Sequence, residues 1–311
     1  MSHSVFIDGA EGTTGLEIRE RLAGRSEFTL VVLDDSQRKD LAARRDALNA
    51  ADFAVLCLPD AAAREAVALI DPASRTRVID ASSAHRVADG WTYGFPELVG
   101  HDAVASATRV SNPGCYPTGF LALVAPLVRA GLLPANWGYT VNAVSGYSGG
   151  GKALIERFAS EGDIAFRSYA LDLAHKHLPE MKRHAGLAHD VIFAPAVVPA
   201  YRGMVVEVPL HLGAMPGAVT APALRAALAE FYAGSRVVRA MDDAPLPELL
   251  LRADQPPSDG IDLHVRGDES GGQARLIAVL DNLGKGASGA AVQSLNLMAG
   301  LDEARGLQLP A

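Results

Sequence analysis

The stretch Val5-Phe6-Ile7-Asp8-Gly9-Ala10-Glu11-Gly12-Thr13-Thr14-Gly15 decides the first half of the fold. Its short apolar run suits a buried strand, its glycines suit a tight turn, and Leu16, Ile18 and Leu22 then recur at helical spacing. Strand, glycine-rich turn and helix in that order open a βαβ unit. Gly9, Gly12 and Gly15 let the backbone turn and come close to a pyrophosphate, whose charge the unpaired N–H groups at the helix start favour. A turn with no ligand is the alternative reading, and Glu11 must point away if phosphates are held there.

Outward from this unit, apolar runs at 28–33, 53–58 and 78–80 are separated by a charged stretch and by an Ala-rich helical segment, 61–70. Strands alternating with helices predict a parallel, doubly wound sheet over about the first 110 residues. Beyond Cys115 the strand-like runs 139–144, 191–198, 204–212 and 276–281 are spaced more widely. The partial alternation of Val205, Glu207, Pro209 and His211 suits an antiparallel sheet with one exposed face. Residues 286–301 read as a helix that returns to the first domain. The expectation is an α/β protein. A Rossmann-like dinucleotide-binding domain takes 1–113 with 282–311, and an α+β catalytic and dimerisation domain with a mainly antiparallel sheet takes 114–281.

The chain has 28 Lys plus Arg against 36 Asp plus Glu, a net charge of −8 over 311 residues, which argues against nucleic acid or an anionic membrane as partner. Two cysteines are too few for a disulfide framework. With no apolar run of membrane-spanning length and no signal-peptide pattern at the start, a cytoplasmic protein is expected.

The sharpest motif is Ser111-Asn112-Pro113-Gly114-Cys115-Tyr116-Pro117-Thr118-Gly119, followed by an apolar helical run, 120–128. A cysteine at the mouth of a helix has its thiolate favoured by the helix dipole, which makes Cys115 a candidate nucleophile. Cys57 lies inside an apolar strand and reads as a small buried hydrophobe. The loop from Ser145 and Gly146 to Lys152 is hydroxyl-rich and could offer backbone donors to a phosphate or oxyanion. His175-Lys176-His177-Leu178-Pro179-Glu180 places two imidazoles and a carboxylate together, suited to moving protons at neutral pH. In an extended stretch His175 and His177 share one face. A metal would need a third ligand, with His184 and His189 nearby, and none is expected. His85, His101, His211 and His264 read as surface or core residues. After the second strand, Asp34 or Asp35 could hold a ribose hydroxyl, whereas Ser36, Arg38 and Lys39 favour a 2′-phosphate and thus NADP. Arg86 is either a bidentate anion ligand or a surface arginine.

These motifs, in order along nearly the whole chain and closing with Asp281-Asn282-Leu283-Gly284-Lys285-Gly286, resemble the shorter form of the N-acetyl-gamma-glutamyl-phosphate reductases of arginine biosynthesis. The resemblance implies reductive dephosphorylation of an acyl phosphate. Cys115 would form a thioester with loss of phosphate, NADPH would reduce it, and His175 or His177 would serve as acid and base, His175 being favoured. It further implies that Gly9, Gly12, Thr13, Thr14, Gly15, Ser36, Arg38 and Asn282 bind the cofactor. Arg86, Asn112, Ser145, Gly146 and Glu180 bind substrate, with His177 and Glu180 positioning. A homodimer or homotetramer is expected. Two rival readings remain, a reductase acting on aspartyl phosphate and a nucleotide-binding regulator with no turnover.

Overall fold

The computed structural model describes residues 2–34, 36–268 and 270–310. The chain forms two compact units, 1–114 with 287–307, and 115–286 with 308–311.

In the first unit, strands β1 (His3–Asp8), β2 (Phe28–Val31), β3 (Phe53–Leu56), β4 (Arg77–Asp80), β5 (Thr92–Tyr93) and β6 (Arg109–Ser111) form a parallel sheet in the order β2-β1-β3-β4-β6-β5. Helices α1 (Thr13–Leu22), α2 (Leu41–Ala50), α3 (Asp60–Ala68), α4 (Pro96–Val99) and α5 (His101–Ser106) connect them. Because successive strand residues face opposite ways, the sheet builds two cores. Val5, Ile7, Val55, Ile79 and Val110 pack with Ile18 and Leu22 of α1 and with Val292 and Leu295 of the C-terminal helix, Gly289–Met298. Phe6, Ala54, Leu56 and Val78 pack on the other face with Leu48 of α2 and Ala66 of α3.

The second unit holds α6 (Cys115–Arg129), β7 (Thr140–Gly146), α7 (Gly151–Ser160), β8 (Arg167–Ser168), α8 (Leu178–Ala185), β9 (Ile192–Val198), β10 (Met204–Leu210), α9 (Ala221–Phe231), β11 (Val238–Ala240), β12 (Ile261–Gly267) and β13 (Ala274–Leu280). Its sheet runs β11-β12-β13-β10-β7-β9-β8. Four of its six junctions are antiparallel, and β11 with β12 and β7 with β9 are parallel. Along β10, Met204, Val206, Val208 and Leu210 are buried while Val205, Glu207 and Pro209 are more open, as the alternation requires. α6 is apolar all round, and every residue from Tyr116 to Leu127 is buried. A π-turn, Gly284–Ser288, precedes the C-terminal helix, which starts three residues later than its apolar pattern suggests. Among the described residues no helix is long and apolar enough to cross a membrane.

Candidate active site

In the first unit the glycine turn follows from sterics. Gly9 has φ +85°, and a Cβ there would stand 2.3 Å from the Cys57 carbonyl oxygen. A Cβ on Gly15 would meet the Gly9 carbonyl at 2.4 Å, so this glycine lets α1 close onto the turn. Gly12 differs: its backbone is ordinary, and a Cβ there would meet nothing nearer than 3.4 Å. Nothing in the protein itself demands a glycine there, so it keeps open space before the start of α1, which no side chain caps. Thr13 and Thr14 open that helix. Beside the turn lies a cavity of about 710 Å³ walled by Asp8, Gly9, Leu33, Asp34, Arg38, Lys39, Arg44 and Leu58, among others. Mixed apolar walls, an open helix start and cations fit the adenosine and phosphates of a dinucleotide.

Within this wall, Asp34 closes its own turn. Its Oδ1 accepts from the Ser36 hydroxyl at 2.6 Å and from the N–H groups of Ser36 and Gln37 at 2.9 and 3.0 Å. These bonds, the Ser36 hydroxyl first, hold the carboxyl below its usual range. The Ser36 hydroxyl is thus engaged with Asp34; Asp35 lies outside the described residues.

Arg86 is a buried strut rather than a surface arginine. Nε donates to the Asn112 carbonyl at 3.0 Å and Nη2 to that of Ala81 at 3.3 Å. The Asn112 N–H donates to the Asp80 carbonyl at 2.7 Å and its Nδ2 to that of Ala287 at 2.9 Å. The run leading into Cys115 is thereby fixed. His85 is a core residue whose Nδ1 lies 2.6 Å from Asp80 and whose ring stacks on Trp91.

In the second unit Cys115 is the first residue of α6. The following Tyr116 ring joins a cluster with Phe193 at 5.1 Å, His177 at 6.0 Å and His175 at 6.2 Å, and His175 lies 5.6 Å from Tyr169. Burial first, then Tyr169 and Cys115, raise the Tyr116 phenol well above its ordinary range, and its hydroxyl donates to the Ala196 carbonyl at 3.1 Å. The two imidazoles meet at 4.6 Å. They do so through a turn, not an extended stretch: His177 is the αR residue before α8, and its N–H donates to His175 Nδ1 at 3.1 Å. Pro179 at the start of α8 sets that turn. With Nδ1 accepting, neutral His175 carries its proton on Nε2. Burial, aided by Lys176, pushes its pKa down to about 4. Glu180 is buried on the first turn of α8. Burial, then the carboxylates of Asp80 and Asp8, push the Cys57 thiol up to about 12, which disfavours it as a nucleophile beside Cys115.

Two family models divide the chain much as its two units do. Residues 4–107 match "Semialdehyde dehydrogenase, NAD binding domain" and 115–282 match "Semialdehyde dehydrogenase, dimerisation domain". An N-acetyl-gamma-glutamyl-phosphate reductase of Pseudomonas putida is 50% identical over 97% of this chain and 98% of its own length, and one of Sinorhizobium fredii is 47% identical over 96% and 99%. The chain belongs to the N-acetyl-gamma-glutamyl-phosphate reductase family. Its fold is also that of aspartate semialdehyde dehydrogenases from Francisella tularensis (TM-score 0.71, 15% identity, covering 96% of this chain and 100% of that one) and Vibrio cholerae (0.69, 20%, 96% and 99%). The resemblance carried by the motifs is borne out, and the chain is an oxidoreductase with a domain for a nicotinamide cofactor.

Against that family reading, two expected site residues stand differently. The hydroxyl-rich loop offers fewer backbone donors than its composition suggests. Gly146, Tyr147 and Ser148 give their N–H groups to the carbonyls of Gly203, Ala200 and Tyr201, and the buried Ser145 hydroxyl donates to the Gly146 carbonyl. Gly146 thus anchors a turn, with its own N–H engaged by the Gly203 carbonyl. Asn282 lies in the second unit, its Nδ2 donating to Ser148 Oγ and its Oδ1 accepting from the Gly203 N–H, both at 2.9 Å. Beside it Asp281 is held by Arg202 at 2.9 Å, and a Cβ on Gly286 would stand 2.9 Å from the Cβ of Cys115. Residues that the motifs do not reveal are Tyr169, Phe193, Arg202 and Arg44. For Tyr169 and Phe193 the only signal is an aromatic residue on a strand or edge beside the histidine segment.

Proposed function

We propose that this protein reduces N-acetyl-glutamyl 5-phosphate to N-acetyl-glutamate 5-semialdehyde with release of phosphate, using NADPH. The observation that carries the reading is Cys115 as the first residue of a buried helix, next to a tyrosine whose ring packs against both His175 and His177. The Cys115 thiolate, favoured by the helix dipole, attacks the acyl carbon and expels phosphate, leaving a thioester. The nicotinamide cofactor, when bound, supplies the hydride that takes the thioester to the aldehyde level. His175 donates a hydrogen bond from Nε2 to the oxygen on which negative charge develops, and when that oxyanion collapses the C–S bond breaks, releasing the aldehyde and restoring the Cys115 thiolate. A histidine that stays neutral can do this as a hydrogen-bond donor, and its low pKa keeps it so at pH 7. His177 and Glu180 position it and the acetamido-acid end of the substrate. Gly9, Gly12, Thr13, Thr14 and Gly15 would hold the pyrophosphate, and Arg38 and Lys39 on the cavity wall support the preference for NADP. A homodimer or homotetramer in the cytoplasm completes the reading.

Phosphate-dependent reduction of NADP with N-acetyl-glutamate 5-semialdehyde tests it. The wild type is expected to turn over, and Cys115→Ala to be inactive while binding NADPH within a few fold. Turnover only with aspartate semialdehyde, or near-wild-type rates in Cys115→Ala, would refute it.

A further inference from the structure

An ion pair forms part of the wall of the 710 Å³ cavity. Asp8, the last residue of β1, and Arg44, near the start of α2, are each more than nine-tenths buried. They meet side-on: Nε and Nη2 of Arg44 both donate to Asp8 Oδ2, at 3.2 and 2.8 Å. Nη1 of Arg44 is left with no hydrogen-bond partner among the described residues, on a side chain that lines the cavity. Burying two charges is a poor route to stability, since desolvation offsets most of their attraction, so stability alone does not account for the pair. What such a pair does provide is a guanidinium locked along one edge, with its other end set in place for an acceptor.

The other groups around the cavity leave this role open. Asp34 Oδ1 already takes three donors and the Ser36 hydroxyl is one of them, so the hydroxyl expected to help hold a 2′-phosphate is engaged. Arg38 and Lys39 are exposed, and exposed cations act through a field that salt screens. We propose that Arg44, held by Asp8, is the residue that selects a 2′-phosphate over a 2′-hydroxyl on the cofactor's adenosine. Arg38 and Lys39 add long-range attraction only. This rests on the reading of the first unit as an NADP-binding domain.

Titration calorimetry on the full chain with adenosine 2′,5′-bisphosphate and adenosine 5′-monophosphate tests the proposal without turnover. The wild type is expected to bind the bisphosphate more tightly. Arg44→Gln should weaken it by roughly 10- to 100-fold, the range of a charge-assisted hydrogen bond, with the monophosphate unchanged within about threefold. Arg44→Lys should recover little, because one ammonium cannot serve the carboxylate and a phosphate as a planar fork does. Should Arg44→Gln leave Asp8 unpaired and fail to fold, the double variant Asp8→Asn with Arg44→Gln removes both charges and is read in the same way. Equal loss of both nucleotides, or full recovery by lysine, overturns the proposal. So does equal binding of both by the wild type, which leaves the dinucleotide domain standing. If the wild type binds neither, the cofactor reading falls with it.

Discussion

Gly286 is where the nucleophile's position can be tested with one methyl group. A Cβ built on it would lie 2.9 Å from the Cβ of Cys115, 3.3 Å from its Cα and 3.0 Å from the Asp281 carbonyl oxygen. Carbon atoms settle at about 3.5–4.0 Å, so Gly286→Ala asks for roughly 0.6–1.1 Å of movement between the π-turn and the first residue of α6. The carbonyl side is braced, because the Gly286 N–H donates to that same Asp281 oxygen and the Asp281 carboxylate is tied to Arg202, Ser258 and Leu283. α6 is buried along its length, so the movement falls on the Cys115 end. A misplacement of this size at a reacting atom costs about 10²-fold, and overpacking adds about 1–3 kcal/mol of destabilisation. Steady-state rates in both directions, nucleotide affinity and the alkylation rate of Cys115 are measured together. The expected result is a fall in kcat of roughly 10- to 100-fold, a changed alkylation rate and unchanged nucleotide affinity. Wild-type kcat and wild-type alkylation in a folded Gly286→Ala would refute the reasoning.

Three other perturbations separate the parts of the structure. Iodoacetamide at pH 8 should label Cys115 alone, since a thiol at about 12 is ionised in only about one molecule in ten thousand; stoichiometric labelling of Cys57 by mass spectrometry would contradict its placement. His175, at about 4 when folded and about 6.5 when unfolded, binds its proton more readily in the unfolded chain. Its contribution is therefore complete above pH 6.5 and lost as pH falls toward 4, so the drop in denaturation midpoint from pH 7 to pH 5 should shrink in His175→Asn, and an unchanged drop would count against it. Gly9→Ala places a side chain at φ +85° against the Cys57 carbonyl and should destabilise by at least about 2 kcal/mol in urea unfolding; a loss under 0.5 kcal/mol would mean that the turn rearranges freely.

What the sequence made legible is what neighbours along the chain determine. The Val5–Gly15 stretch dictates strand, turn and helix within a dozen residues, and Cys115 precedes an apolar run that could only be a buried helix. What it hid depends on pairing across distance. Nothing near Gly146 announces that residues 200–203 will take the N–H groups of its loop, and the 36-residue separation of Asp8 and Arg44 hides their meeting. His175 and His177 come together as expected, but by a helix-start turn that Pro179 imposes where period-two reasoning suggests a strand. The start of the C-terminal helix shifts because Gly284–Ser288 winds as a π-turn, for which apolar periodicity has no signature.

The C-terminal helix has a consequence for how the chain is made. Val292 and Leu295 fill the core beside β1, β3, β4 and β6, so a ribosome that has delivered all six strands of the parallel sheet has not yet delivered the cover for one of its faces. Until nearly 300 residues have been synthesised, Val5, Ile7, Val55 and Ile79 lack the cover of Val292 and Leu295, and apolar surface left open during synthesis invites aggregation. The strands and helices of the second unit lie between residues 115 and 286, ahead of the C-terminal helix, so this unit is the natural one to fold early. The amino-terminal unit, whose sheet is made before the second unit, waits for a helix made after it.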